Sequence, residues 1–251
     1  MRALDQLVHG RTRLRARYAL MPLEGYPVSR LPGWAGAEVK VLASPAIGAQ
    51  FAQYLADVPA GVQGGFPVPP QVETFHYVLS GTGRFTDGAA VQRPLKPGSF
   101  GLTPPGCRAE FTAAEPLRVL LLRKRYEPAA GIEVFSGSYG EEPEVPRQVW
   151  GDSPHSLLQT LIPDELPFDL AMNIFTFDTG FGLPIIETHV MEHGLYFLQG
   201  KGLYYLDQEW MEVEKDDFIW MGPFCPQSFY ATGPEPARYI YYKNVNRDVT
   251  I

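Results

Sequence analysis

The chain has 251 residues, of which 45% are hydrophobic and 20% are charged. That length can bury one large core or two smaller ones, which excludes a disordered tail and a small disulfide scaffold. With 28 acidic and 21 basic residues the net charge is −7, so the chain offers no broad basic surface and a nucleic-acid partner is disfavoured.

Short apolar runs rich in aromatic and β-branched residues follow one another along the chain, punctuated by 25 glycines and 24 prolines. Runs of this kind between turn residues predict β-strands. The predicted strands lie at 76–80, 117–126, 194–198, 202–206, 217–221 and 238–242. The first twenty residues and 153–161 are the segments that could form helices, so the sequence predicts an all-β barrel or sandwich.

The second half of the chain repeats the first. A shift of 119 residues superposes LSGTGRF (79–85) on LQGKGLY (198–204) and places Glu73 on Glu192. A shift of 118 then aligns the segment after Phe100 with that after Phe218, and a shift of 120 aligns the last strands. Three matching blocks in one order predict two copies of one β-unit, which we assign to residues 1–140 and 141–251.

The chain carries no sign of export. Cys107 and Cys225 are too few for a disulfide framework, and a reducing compartment suits them. The N-terminal residues lack the apolar stretch of a signal peptide, and no window reaches the roughly 18 consecutive apolar residues of a spanning helix. We therefore expect a cytoplasmic protein with no membrane partner.

The second copy contains acidic and imidazole side chains in a regular series, G-x4-E-x-H-x3-H-x6-G, from Gly182 to Gly200. Glu187 and His189 are two apart, so on a strand they point to one face and can both enter a barrel. His193 lies across a bend or further along the same face. These residue types are metal ligands, and they would be costly to bury without a cation.

The first copy acts as an internal control. It has Val68, Pro70 and Thr74 where the second copy has Glu187, His189 and His193. The fold therefore does not need these ligand-type groups for its own stability, which favours a functional role in the second copy. His76 falls on Leu195 and is interpreted as a packing residue.

The same series resembles the first motif of the cupin superfamily, with the acid and one histidine exchanged. The second cupin motif is visible in the first copy at Gly98, Pro104 and Gly106, where its histidine position is Ala109. The shift of 118 carries that position to Gln227, which is expected to follow a turn and to be the fourth ligand. The resemblance implies a bicupin, two tandem double-stranded β-helix (jelly-roll) barrels.

Three further residues of the second copy bear on the pocket. Tyr204, Tyr239 and Lys243 stand where the first copy has Phe85, Val119 and Arg123. The alternation of Tyr239, Tyr241 and Lys243 along one strand allows two interpretations, a pocket wall or an outer face packed on the other copy. The pattern alone favours the outer face.

The segments ETHVMEHGLYFLQGKGLYYLDQEW (187–210) and GPFCPQ (222–227) resemble the (S)-ureidoglycine aminohydrolases, a family of bicupin enzymes. The resemblance implies hydrolysis of (S)-ureidoglycine to (S)-ureidoglycolate and ammonia in purine catabolism. It implies Mn²⁺ as the cofactor, although the residues alone leave Fe²⁺ and Zn²⁺ open. The metal ligands implied are Glu187, His189, His193 and Gln227.

The resemblance also assigns roles in the pocket. It implies substrate binding by Tyr204, Tyr239 and Lys243, which reverses the preference for an outer face, and catalytic roles for Glu187 and Lys243. The expected partners are a small ureido-acid substrate and further copies of the chain, since cupin barrels tend to pair through strand edges. The alternatives are a metal-dependent cupin dioxygenase or isomerase, and a non-enzymatic bicupin that binds small acids.

Overall fold

A computed structural model describes residues 10–249, and the regular structure in that range is almost entirely β-strand. The strands are β1 (Arg13–Leu14), β2 (Tyr18–Met21), β3 (Glu38–Ala43), β4 (Phe51–Val58), β5 (Gln63–Gly65), β6 (Val72–Ser80), β7 (Gly83–Thr86), β8 (Gln92–Leu95), β9 (Ser99–Thr103), β10 (Glu110–Ala113), β11 (Leu117–Arg125), β12 (Ser138–Glu141), β13 (Gln148–Trp150), β14 (Ser153–Thr160), β15 (Leu170–Phe177), β16 (His193–Gln199), β17 (Lys201–Leu206), β18 (Glu209–Glu214), β19 (Phe218–Met221), β20 (Gln227–Ala231) and β21 (Ala237–Asn244). Single 3₁₀ turns occupy Leu23–Gly25, Pro45–Ile47 and Glu142–Glu144. The all-β prediction is confirmed. None of the helical turns between residues 10 and 249 is long and apolar enough to cross a membrane.

The helix allowed at 153–161 is wrong, because Ser153–Thr160 forms strand β14 and pairs antiparallel with β13. Pro154 and the pairing with a neighbouring strand outweigh the weak helical tendency of SLLQT. The helix allowed over the first twenty residues is also wrong where it can be checked, since residues 13–14 and 18–21 are strands. Residues 1–9 lie outside the described range.

The chain divides into two compact units, which we call the second-repeat unit and the first-repeat unit. The second-repeat unit comprises the described parts of Met1–Gly25, Gln148–Leu158 and Ile174–Tyr242, and the first-repeat unit comprises those of Tyr26–Arg147, Gln159–Asn173 and Lys243–Ile251. These units do not follow chain order. The predicted boundary between the two sequence repeats, between residues 140 and 141, is a different division and stays a prediction.

The strands form four sheets. In the first-repeat unit, a six-stranded sheet (β12-β9-β6-β11-β4-β3) accompanies a four-stranded sheet (β5-β10-β7-β8). Strands of the second repeat form a three-stranded sheet (β18-β17-β20) and, together with β1 and β2, an eight-stranded sheet (β1-β2-β19-β16-β21-β15-β14-β13). The order β9-β6-β11-β4 thus recurs as β19-β16-β21-β15, so the two copies share one strand arrangement.

Strands outside the recurring order cover β9 and β19. Strand β2, near the start of the chain, pairs with β19 of the second repeat, with Trp220 opposite Ala19. Strand β12, at the end of the first repeat, pairs with β9, with Phe100 opposite Gly140. These pairings cover the edges of β9 and β19, which would otherwise expose unpaired backbone groups.

Each unit has its own apolar core. That of the second-repeat unit is built on aromatic side chains such as Phe177, Phe197 and Phe229, and that of the first-repeat unit on Trp34, Phe85 and aliphatic residues. These side chains lie at alternate positions of their strands, as expected for the inner faces of packed sheets.

A cluster of buried charges lies in the first-repeat unit, outside that core. Lys124 forms a salt bridge with Asp169, and Asp169 also accepts a hydrogen bond from the backbone N–H of Glu127 at 2.7 Å. Glu73 is fully buried beside Asp169. Burial and the neighbouring Asp169 raise the pKa of Glu73 well above its ordinary value, so this carboxyl keeps its proton.

We predict that Glu73→Gln makes the stability of the protein less dependent on pH. Because the pKa of Glu73 is raised on folding, its contribution is fully present below the ordinary carboxyl pKa and is lost as pH rises through the raised value. Between those limits the wild type should lose about 1.4 kcal/mol of unfolding free energy per pH unit. Glutamine has nearly the same shape as a protonated glutamate and does not titrate.

Urea unfolding at a series of pH values measures this slope. Glu133→Gln, at an exposed position of the same unit, is the control and should retain the wild-type slope. An unchanged slope in Glu73→Gln would show that Glu73 is ionised in the folded protein.

Candidate metal centre

The segment that carries the predicted acid lies in a loop, not in the strand that the sequence predicts. Glu187 forms an isolated antiparallel bridge with Gln227, and the two exchange backbone N–H···O hydrogen bonds of 2.9 Å in both directions. Gly182 forms a second bridge to Tyr230, where a Cβ would come within 1.9 Å of a backbone oxygen. Glycine at the start of the motif therefore lets the loop lie flat against β20.

The two predicted histidines face each other. His193 is buried at the first position of β16, whereas His189 is half-buried in the loop. Their Nε2 atoms are 3.2 Å apart and the rings are perpendicular. Each Nδ1 is 2.9–3.0 Å from a backbone carbonyl, that of Met191 for His189 and that of Tyr242 for His193.

These contacts fix the tautomer of both rings. A carbonyl only accepts, so each Nδ1 carries the proton and each neutral Nε2 presents a lone pair. Two lone pairs 3.2 Å apart repel unless a cation or a proton lies between them. Histidines that donate Nδ1–H to a carbonyl and direct Nε2 at a common point are arranged as metal ligands are.

Gln227 completes this cluster from β20. Its side-chain nitrogen lies 2.9 Å from Nε2 of His189, and its Oε1 accepts a hydrogen bond of 3.2 Å from the hydroxyl of Tyr204. The residue is 2% exposed. An amide can present oxygen instead of nitrogen to the histidines, so Gln227 can serve as an oxygen ligand.

The predicted tyrosines line the same interior. Tyr204 and Tyr239 are each 2% exposed, and their ring centroids lie 6.1 Å apart. Burial raises the pKa of both phenols well above the ordinary value, and the charge of Glu187 adds to this effect. Both phenols therefore stay protonated at neutral pH and can donate hydrogen bonds. Tyr241 packs edge-on against His193, with ring centroids 5.4 Å apart.

Two of the predicted site residues, Glu187 and Lys243, are not shown in contact with the histidines. Within residues 10–249 no group of three or more His, Cys, Asp or Glu side chains is arranged to hold a metal ion, so the carboxylate of Glu187 does not complete the set here. Lys243 follows Tyr241 by two residues in β21 and is half-buried. The structure thus brings together His189, His193 and Gln227 with both tyrosines.

The first-repeat unit shows what the same architecture does without ligands. Thr74 and Ala109 are buried at the positions of His193 and Gln227, while Val68, at the position of Glu187, is 40% exposed. Since this unit still folds around an apolar core, the imidazoles and the amide in the other repeat are additions to the barrel.

Sequence reasoning missed the side chains behind His193. Glu192 is fully buried and accepts hydrogen bonds from Trp220 Nε1 (3.3 Å) and from the hydroxyl of Tyr242 (3.4 Å). The carbonyl of Tyr242 in turn orients His193. The repeat alignment, which places Glu73 on Glu192, could have indicated this role. An acid that occurs at the same position in both repeats, next to a candidate ligand, suggests a structural function.

Comparisons with known proteins agree with this architecture. The cupin domain family matches residues 173–242, which contain the candidate ligands. A crystal structure of protein Ylba from E. coli superposes with a TM-score of 0.86 and 32% identity, covering 100% of both chains. The predicted cupin fold is confirmed.

Curated relatives extend along nearly the whole chain. The (S)-ureidoglycine aminohydrolase of Escherichia coli (strain K12) is 36% identical over 93% of this chain and 90% of its own length. The probable (S)-ureidoglycine aminohydrolase of Oryza sativa subsp. japonica is 34% identical over 93% of this chain and 75% of its own. The chain belongs to the (S)-ureidoglycine aminohydrolase family. It is accordingly an enzyme of the class that acts on a C–N bond.

The residues of the centre fit a divalent metal ion, as the cupin fold suggests. Two imidazole nitrogens and an amide come together, and the backbone bridge to Gln227 keeps Glu187 in the adjoining loop. Carboxylate, amide oxygen and two imidazoles together form a donor set for Mn²⁺, Fe²⁺ or Zn²⁺.

We predict that His193→Ala abolishes stabilisation by metal. An ion that binds only the folded wild type at a hundred times its Kd should add about 2.7 kcal/mol to the unfolding free energy and raise Tm. Thermal melts of metal-stripped protein with and without added Mn²⁺ measure this. His155→Ala removes an exposed histidine that pairs with Asp178, and it should keep the full shift. An equal shift in His193→Ala would place the metal elsewhere.

Proposed function

We propose that this protein catalyses the manganese-dependent hydrolysis of (S)-ureidoglycine to (S)-ureidoglycolate and ammonia, as a step of purine breakdown through ureides. The observation that carries the proposal is the convergence of His189, His193 and Gln227 beneath two buried phenols, in a chain whose relatives bear the name of this activity.

The metal would be held by His189, His193, Gln227 and Glu187. When bound, Mn²⁺ supplies a Lewis acid and a template at the reacting carbon. For Glu187 to join the set, its side chain must turn toward the imidazoles, and its half-buried position in the loop leaves room for that movement. The choice of manganese rests on the family resemblance, since the donor set also suits iron and zinc.

The protein's own groups account for recognition of the substrate. (S)-Ureidoglycine carries a carboxylate, a ureido group and an amine on one carbon. Tyr204 and Tyr239 stay protonated in the buried wall and can donate hydrogen bonds to substrate oxygens. We assign Lys243 to the carboxylate, because an ammonium is the complementary charge.

The reaction adds water to the carbon and breaks its bond to the amino nitrogen, so a proton must reach the departing nitrogen. Glu187 is the carboxylate of the proposed site, and its charge already acts on both phenols. We therefore propose catalytic roles for Glu187, in handling this proton, and for Lys243, in holding the substrate against it.

The setting that we propose is cytoplasmic and homo-oligomeric, without nucleic-acid or membrane partners. Two observations support the proposed compartment and the absence of a nucleic-acid partner. Cys107 and Cys225 are both free thiols, and burial raises the pKa of Cys225 to about 11, which keeps it unreactive. The net charge of −7 is unsuited to a polyanionic partner.

We predict that Tyr204→Phe lowers kcat/KM for ammonia release by about ten- to a hundredfold, because it removes a buried hydroxyl that hydrogen-bonds Gln227. Tyr205→Phe is the matched control. Tyr205 is the neighbouring residue of β17, half-buried against Trp210, and its substitution should leave the rate unchanged. The assay follows ammonia from freshly generated (S)-ureidoglycine, with the spontaneous rate in buffer subtracted.

Glu187→Ala with Mn²⁺ present should reduce the enzymatic rate to that of buffer. Chiral analysis of the ureidoglycolate should show the (S) product alone. Metal-loaded wild-type protein that gives no acceleration over buffer would overturn the assignment. In that case, oxygen uptake by the iron-loaded protein would identify a dioxygenase instead.

A further inference from the structure

The first-repeat unit contains a cavity of its own that the proposed reaction does not use. It has a volume of about 280 Å³ and opens between β6, β7, β8, β9 and β12. The side chains that matter for its chemistry are His76, Phe85, Arg93, Tyr139 and Glu141. Aromatic rings form one wall, since the ring centroids of His76 and Phe85 are 4.4 Å apart and the guanidinium carbon of Arg93 lies 4.2 Å from the centroid of the Tyr139 ring.

Two polar atoms in this lining lack partners. Nδ1 of His76 and Nε of Arg93 are both buried, and neither has a hydrogen-bond partner among the described residues. His76 is 2% exposed as a whole. Buried polar groups are almost always hydrogen-bonded, so two unsatisfied atoms on one cavity indicate that something absent from the chain satisfies them.

The second repeat shows that the barrel does not need a histidine here. His76 lies opposite Gly101 in the β6–β9 pairing, and the corresponding pair in β16–β19 is Leu195 opposite Ile219. A Cβ on Gly101 would come within 2.8 Å of His76 and 2.3 Å of Tyr139. The first repeat thus replaces an aliphatic pair with glycine and an imidazole, which makes room for the aromatic wall.

The charges of the lining indicate the ligand. Arg93 touches one carboxylate, that of Asp87 at 3.4 Å, and its Nε–H remains available. Glu141 is held by the hydroxyl of Ser99 at 2.9 and 3.0 Å and keeps further lone pairs as acceptors. Burial and the nearby Arg93 lower the pKa of His76 to about 3, so its ring is neutral and offers one donor and one acceptor.

We propose that this cavity is a second ligand site, which binds a small carboxylic acid carrying amide or ureido N–H groups. The carboxylate accepts from Nε of Arg93, the N–H groups donate to Glu141, and the neutral ring of His76 supplies the remaining hydrogen bond. The packing interpretation of His76 is thereby extended, because its ring packs on Phe85 while Nδ1 faces the ligand.

Hydantoate (N-carbamoylglycine) is the probe, because it is stable and carries both groups. The full-length Glu187→Ala variant, stripped of metal, is titrated so that the metal centre does not contribute. The ¹⁵N resonances of the His76 imidazole, identified by their loss in His76→Leu, should shift and saturate. Glycolate, which lacks the N–H groups, and N-methylurea, which lacks the carboxylate, should bind at least about tenfold more weakly.

In the same background, Arg93→Gln should weaken binding of hydantoate at least about tenfold, whereas Arg84→Gln, an exposed arginine on β7, should not. Thermal melts confirm that each variant is folded, and His76→Leu copies the residue that the second repeat uses. Unshifted His76 resonances at saturating hydantoate, or equal affinity in Arg93→Gln, would overturn the proposal. Neither outcome depends on whether the metal centre turns over (S)-ureidoglycine.

Discussion

The Nε2 atoms of His189 and His193 face each other at 3.2 Å, and the surrounding groups are arranged around this contact. Each ring donates its Nδ1 proton to a backbone carbonyl. The two Nε2 lone pairs therefore repel each other unless a hydrogen-bond donor or a cation lies beside them. Gln227 turns its amide nitrogen to His189 and its oxygen to the hydroxyl of Tyr204. One side chain therefore connects the pair of imidazoles to the buried phenol.

The barrel supplies this geometry through backbone pairing more than through side-chain packing. Gln227 is both the first residue of β20 and the backbone partner of Glu187, so one pair of hydrogen bonds fixes the acid's loop against the amide's strand. His193 likewise opens β16, and the carbonyl of Tyr242 in β21 orients it. Ligands at the ends of strands can be exchanged without loss of the core, and the first repeat shows such an exchange, with Thr74 and Ala109 in their place.

The sequence predicted the strands and the members of the centre because both depend on local pattern. Alternating apolar residues specify strands such as β11 and β21, and the contrast between the repeats singled out His189, His193 and Gln227. Other features depend on pairing between distant segments, which period and composition do not encode. The bridge that holds Glu187 in a loop, the strand at 153–160 and the pairing of β2 with β19 of the second repeat are of this kind. The unsatisfied nitrogen of His76 is equally invisible in sequence, because a packing histidine and a ligand-binding one look the same until their hydrogen bonds are counted.

Glu73 and Glu192 show how one buried acid can be retained while its surroundings change. Both are fully buried, and they occupy equivalent positions in the two repeats. Glu192 accepts hydrogen bonds from neutral donors, the indole of Trp220 and the phenol of Tyr242. Glu73 instead keeps a proton beside Asp169, whose charge is balanced by Lys124. The acid is buried in both repeats, including the one without histidines at the candidate ligand positions, so its burial is a feature of the shared barrel fold. The two repeats differ instead in the side chains at those candidate positions.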